Sequence, residues 1–252
     1  VDNLYFDSLL SFFLASRSAI AEKPTKNSLP SSPNTGSPEE DFAAGGSRNN
    51  PLHAQLCGEN SQIAYVLGDH NREYTLSAYP IFWFHIPQSL ENVAQINFSL
   101  TDLASGKEVY RRGVEVPEKA GIMGISLPKH PQYALSAGVN YSWHLEIDCA
   151  QSDGESVFAL EGWLQRLPVD QNVQAKLATV AQNNQYTFYL QHNLLYDALS
   201  NLAQRRMVEP KNADLAIAWQ QFLSELGWQD LVKQYPVEPY FMQTKIVTNY
   251  SK

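Results

Sequence analysis

Apolar and polar side chains alternate along the middle of the chain. Ile96, Phe98 and Leu100 interleave with Gln95, Asn97, Ser99 and Thr101. Trp143, Leu145, Ile147 and Cys149 interleave with Ser142, His144, Glu146 and Asp148. Successive side chains of an extended chain point to opposite faces, so each pattern predicts a half-buried strand. Residues 79–86 (YPIFWFHI) are apolar on both faces, which predicts a central strand covered on both sides. Residues 107–116, 122–127 and 157–164 add further candidate strands. Turn chemistry separates them at Gly68-Asp69, Ser105-Gly106, Gly121, Ala137-Gly138 and Asp153-Gly154. Short strands with regular turns predict an antiparallel immunoglobulin-like β-sandwich over 57–167. Trp83, Phe98, Trp143 and Trp163 are its expected central fillers.

After Pro168 the spacing becomes helical. Asp170 is a candidate N-cap, followed by Val173, Leu177, Val180 and Ala181. One longer helix is expected from Gln185 to Arg206, with Phe188, Leu195, Leu199 and Leu202 on its stripe. A third carries Leu215, Trp219, Phe222 and Leu226, and Gly227 sits where a left-handed C-cap belongs. Two of these helices resemble a single tetratricopeptide-type hairpin, with no second copy at the required period. The predicted class is α+β: an antiparallel immunoglobulin-like β-sandwich followed by a C-terminal helical hairpin, with the helical region 168–235 packed on the sandwich. Pro236 and Pro239 are expected to end regular structure, leaving 236–252 as a tail.

Composition narrows the function. The chain has 252 residues, 44% hydrophobic and 17% charged, with a formal charge of −8. That charge argues against a nucleic-acid binder, which needs a basic stripe. No stretch reaches the roughly 20 consecutive apolar residues of a transmembrane span. Leu9 to Ala15 is a short apolar stretch and Ala19-Ile20-Ala21 fits a signal cleavage site, so 1–21 reads as an export segment. Against that stand Asp2 and Asp7, where basic residues are expected; the competing reading is an amphipathic helix. Residues 22–56 are rich in Pro, Ser, Asn and Gly and read as a flexible tether. Gly45-Gly46-Ser47 within them lacks the flanking strand and Lys of a phosphate loop.

Several blocks occur in order: IFWFHIP (81–87), FSLTD (98–102), GISLP (124–128), YSWHLEIDC (141–149), EGWLQR (161–166) and LLYDALSNLAQRR (194–206). With Trp219, Phe222, Leu223 and Gly227 they resemble the cyanobacterial family catalogued as domain of unknown function 928, over about residues 45–235. The resemblance implies export and a genetic setting beside sensor and secretion genes, and it assigns no reaction. Two departures stand out. The Gly/Arg-rich stretch before the first cysteine is reduced to Gly45-Gly46-Ser47-Arg48, and the family's Gly-Ile-Trp is Asn193-Leu194-Leu195.

Candidate chemistry is sparse. Cys57 and Cys149 lack CxxC spacing; in an oxidising compartment they are a candidate disulfide, otherwise Cys149 is a small buried hydrophobe. His144, Glu146 and Asp148 share a strand face, but same-face side chains lie about 7 Å apart, too far for one ion to bridge all three. A solvated face is the expectation there. Asp69, His70 and His85 lack a GxSxG nucleophile, since Gly124-Ile125-Ser126 has no second glycine. Nothing pairs two of Glu108, Glu115, Glu146 and Glu161 as glycosidase carboxylates. Arg111-Arg112 and Arg205-Arg206 are too few for a membrane anchor. Tyr196 and Asp197 form either a polar recognition spot or a tie between helix and sheet, and Tyr240 and Phe241 dock either on a partner or on their own sandwich.

The expected function is a non-catalytic, exported cell-envelope protein that contacts another envelope protein, without cofactor or metal. The alternatives are a carbohydrate-active or other hydrolase and a periplasmic small-ligand sensor.

Overall fold

The computed structural model describes residues 53–55, 57, 62–67, 74–86, 90, 92–150, 157–181, 184–234, 237–242 and 244–245. The export segment 1–21, most of the tether, and Asp69 and His70 lie outside the described residues. The strands in chain order are β1 (His53–Gln55), β2 (Gln62–Tyr65), β3 (Tyr74–Thr75), β4 (Ile81–Ile86), β5 (Val93–Asp102), β6 (Glu108–Val114), β7 (Gly121–Ser126), β8 (Asn140–Cys149), β9 (Val157–Arg166), β10 (Pro239–Phe241) and β11 (Thr244–Lys245). The helices are α1 (Gln171–Thr179), α2 (Gln185–Gln191), α3 (Leu195–Val208) and α4 (Ala213–Leu223), followed by a wide turn, Ser224–Trp228, and one further turn, Leu231–Gln234.

The class is α+β, with two mostly antiparallel sheets ordered β1-β2-β4-β7-β10 and β11-β6-β5-β8-β9-β3. Their rings meet: Phe82 lies 4.7 Å from Phe98, and Tyr65 lies 4.6 Å from Trp143, between ring centroids. Ile96, Phe98, Leu100, Trp143, Leu145 and Ile147 are all fully buried, as their alternation demands. Strand β4 is buried at all six positions. Its even-numbered rings face the second sheet, while Trp83 donates to Ser200 Oγ of α3 (3.0 Å) and His85 meets the Trp228 ring (5.2 Å). The helices therefore cover the other side of β4, which is why this strand is apolar throughout.

Five expectations need correction. The sheets are not purely antiparallel: β10 runs parallel to β7 and β3 parallel to β9. Both pairs join segments far apart in sequence, and long connections allow the chain to return in the same direction. Trp83 and Trp163 do not fill the space between the sheets. Trp83 lies on the helix side, and half-buried Trp163 pairs with Ser142 on the outer side and meets Tyr74 edge-on (6.4 Å). Their rings follow strand parity, not size. The strands begin before Cys57, at His53, because β1 pairs with β2. The helix expected over 185–206 is two helices, broken at Asn193 with φ of 58°. Asparagine tolerates the left-handed region better than most residues. Finally, 236–252 is not simply a tail: within it Tyr240 pairs with Met123, and Thr244 with Val114, so β10 and β11 each edge a sheet.

Local signals hold the helical part together. The Asp170 carboxylate caps α1 by accepting from the Asn172 N–H (2.7 Å), and Asn212 caps α4 by accepting from the Asp214 and Leu215 N–H groups. Gly227 is left-handed, with φ of 91°. The buried indoles of Trp219 and Trp228 donate to the carbonyls of Val237 (2.7 Å) and Val66 (2.9 Å). These bonds satisfy polar groups that burial would otherwise penalise, and they tie helices to sheets.

Candidate functional site

The segment from Leu76 to Pro80 carries the chain from β3 in one sheet to β4 in the other. Between this crossover and helices α1, α2 and α3 lies a cleft of about 490 Å³. Asp197 lies in its wall, in the first turn of α3, where the helix dipole favours a carboxylate. Its Oδ2 accepts from the Leu76 N–H (3.0 Å) and its Oδ1 from the Thr75 hydroxyl (3.3 Å). Thr75 Oγ1 in turn accepts from the Ser77 N–H, and Ser77 Oγ from the Tyr79 N–H, both at 3.0 Å. One carboxylate and two hydroxyls thus satisfy the backbone of a turn that has no sheet partner.

Burial pushes the Asp197 carboxyl up to about 6, against the downward pull of its bonds to Leu76 and Thr75. Tyr189, on the cleft wall, is raised by burial and then by the Asp197 charge. Tyr196 points the other way into the core, where its hydroxyl accepts a hydrogen bond from the Tyr65 hydroxyl. Further along α3, Asn201 Nδ2 donates to Gln185 Oε1 (3.4 Å), while Asn201 Oδ1 is buried without a hydrogen-bond partner. Asp197 is the one charged residue in a lining otherwise made of hydroxyls, amides and apolar groups, among the described residues.

The other singled-out residues fall elsewhere. Cys57 and Cys149 are joined as a disulfide that links residues 92 positions apart. Tyr240 and Phe241 do not line the cleft. The Tyr240 hydroxyl donates to the Lys119 carbonyl (3.0 Å), the Lys119 ammonium sits 4.7 Å from its ring centre, and burial pushes the pKa of the phenol up. Phe241 packs 5.6 Å from Trp83 yet stays 45% exposed. His144 pairs with Glu161 (3.2 Å), and Arg111 pairs with Glu108 (2.6 Å) and Glu146 (3.5 Å), all half-exposed. His85 is buried. Arg206 is buried as well, paired with Glu238 (2.9 Å) and with the Pro210 carbonyl.

Sequence reasoning found Asp197 but missed its surroundings. Asp197, Asn201 and Gln204 recur at helical spacing beside the apolar stripe of α3, and that polar row was the available signal. Thr75, Ser77 and Gln185 carried none, because only the fold brings their segments to α3.

These features define an α+β domain of two sheets with a helical cover and a polar cleft. Residues 43–236 match the family model described as Domain of Unknown Function (DUF928), and the chain belongs to that family. No curated protein matches the chain.

Proposed function

We propose that this chain is an exported cell-envelope protein of cyanobacterial type, working by contact with another envelope protein and not by catalysis. In this reading the two sheets form an immunoglobulin-like sandwich and the helices include a docked hairpin, with 1–21 as the export segment. The Cys57–Cys149 bond supports the compartment, since such bonds persist where the surroundings are oxidising. The engagement of Asp197 carries the contact reading. Both its oxygens are committed to the crossover segment, so the charged group of the cleft shapes a recess for a partner.

Affinity capture from a native envelope fraction tests the proposal. A co-purifying envelope protein in fixed ratio is expected. Turnover of a glycan or ester, with no partner retained, overturns it. A second reading, a small-ligand sensor, is favoured by the cleft volume of about 490 Å³, which falls in the usual range for small-molecule sites.

A further inference from the structure

We propose that the cleft receives a cationic side chain, a lysine ammonium or an arginine guanidinium, presented by the protein partner and held against the Asp197 carboxylate. The inference rests on the contact reading above and deepens it.

Among the described residues no cation pairs with the Asp197 carboxylate. Asp197 accepts from neutral donors, the Leu76 N–H and the Thr75 hydroxyl, with the Ser77 N–H and its own N–H also turned toward the carboxylate. Each carboxylate oxygen has capacity for a second hydrogen bond. Charged groups withdrawn from water are ordinarily paired, and a carboxylate without a cation is the costly case. Among the described residues, the titratable groups lining the cleft beside Asp197 are the phenols of Tyr79 on the crossover, Tyr189 on α2 and Tyr196 on α3, the last turned toward the core. Arg166 of β9 reaches the same crossover, where its guanidinium donates to the carbonyls of Leu76 (3.4 Å) and Leu135 (2.5 Å) and makes no ion pair with Asp197. Among the described residues the cleft lining therefore carries one charge, a negative one, on a chain whose formal charge is already −8. An anionic ligand would be repelled. A cation would gain the carboxylate, the faces or edges of Tyr79 and Tyr189, and amide oxygens such as that of Gln185. The long apolar stem of Lys or Arg suits Leu177 and Val169, which line the same cleft.

The test uses the intact protein and blocked amino acids, followed by NMR chemical-shift titration. Nα-acetyl-lysine methylamide or its arginine counterpart is expected to perturb residues 75–77 and the α3 amides. The norleucine counterpart, which lacks the ammonium, should bind about tenfold more weakly or worse. Lowering the pH from 7 to 5 should weaken lysine binding by about tenfold as the carboxylate protonates. Asp197→Asn keeps an acceptor for Leu76 and should lose the preference for the cation. Asn201→Lys, one turn along α3, should place an internal cation beside Asp197 and block binding, so the proposal does not depend on one variant folding. Equal binding of norleucine, or binding of glucose in place of the amines, overturns the proposal. So does butylammonium binding as tightly as blocked lysine, which marks a free-amine site. A captured partner that holds Asp197→Asn as tightly as wild type overturns the cleft assignment alone. A protein that binds blocked lysine but retains no envelope partner overturns the contact reading alone.

Discussion

The indole of Trp143 lies flat over Gly162, its direct neighbour across the β8–β9 pair. A Cβ built on Gly162 would stand 2.5 Å from Trp143 Cζ2. On the other sheet Trp83 covers Gly124 in the same way, at 2.7 Å from such a Cβ. Each glycine is a seat for a large ring that is itself fully buried and cannot step aside. Gly162→Ala should therefore destabilise by about 1–3 kcal/mol through overpacking. Trp143→Phe should cost less in the Gly162→Ala background than alone. A thermal-unfolding double-mutant cycle checks both, and additive effects would remove the explanation.

The Cys57–Cys149 bond closes a long loop and fastens β1 and its surroundings to the end of β8. Unreduced native protein should contain no titratable thiol. Cys57→Ser with Cys149→Ser should lower stability by about 2–5 kcal/mol, read as a drop in the denaturant midpoint. A double variant as stable as the parent would show that the bond constrains nothing.

Asp197 gives stability a specific pH dependence. Its folded value is about 6 against an ordinary 3.8, so between these values the folded state holds the proton more tightly. Its contribution is fully present below about pH 4 and is lost as the pH rises through 6. Other carboxylates titrate too, so the readout is the difference between wild type and Asp197→Asn. That difference should move in favour of the wild type as pH falls from 7 to 4. Asp197→Ala should be destabilising by about 1–3 kcal/mol at low pH, because the Leu76 N–H loses its acceptor.

The segment around β10 is anchored, and the anchors are measurable. Trp219→Phe removes the buried bond to the Val237 carbonyl and should cost about 1 kcal/mol or more. Phe241→Ala removes a ring that is half exposed, so its cost through lost contact with Trp83 should stay near 1 kcal/mol. Urea midpoints with unchanged m-values check the pair. A free tail would leave both midpoints where they were.

Much of the architecture was legible in the chain. The strands over 93–102, 121–126 and 140–149, the Asp170 cap and the left-handed Gly227 follow from spacings of two to four residues. The break at Asn193 was not, because the apolar stripe of α2 continues almost in phase into α3 and only the short stretch through Asn193 and Leu194 leaves the helical conformation. Of the cleft, Asp197 was visible as an acid in a helix's first turn. Its donors, Thr75 and Leu76, lie more than 120 residues away in the chain, and no local pattern announces them.

By itself the sequence determined where strands and helices form and which face of each is apolar, because those follow from side chains within one turn or one pleat of each other. Only the tertiary structure decided that Trp83 turns toward the helices, that β10 joins a sheet in parallel, and that a half-buried carboxylate ends up beside a crossover with no cation paired to it among the described residues. The reason is physical: periodicity says that a face must be covered, while what covers it depends on how distant segments share a limited interior.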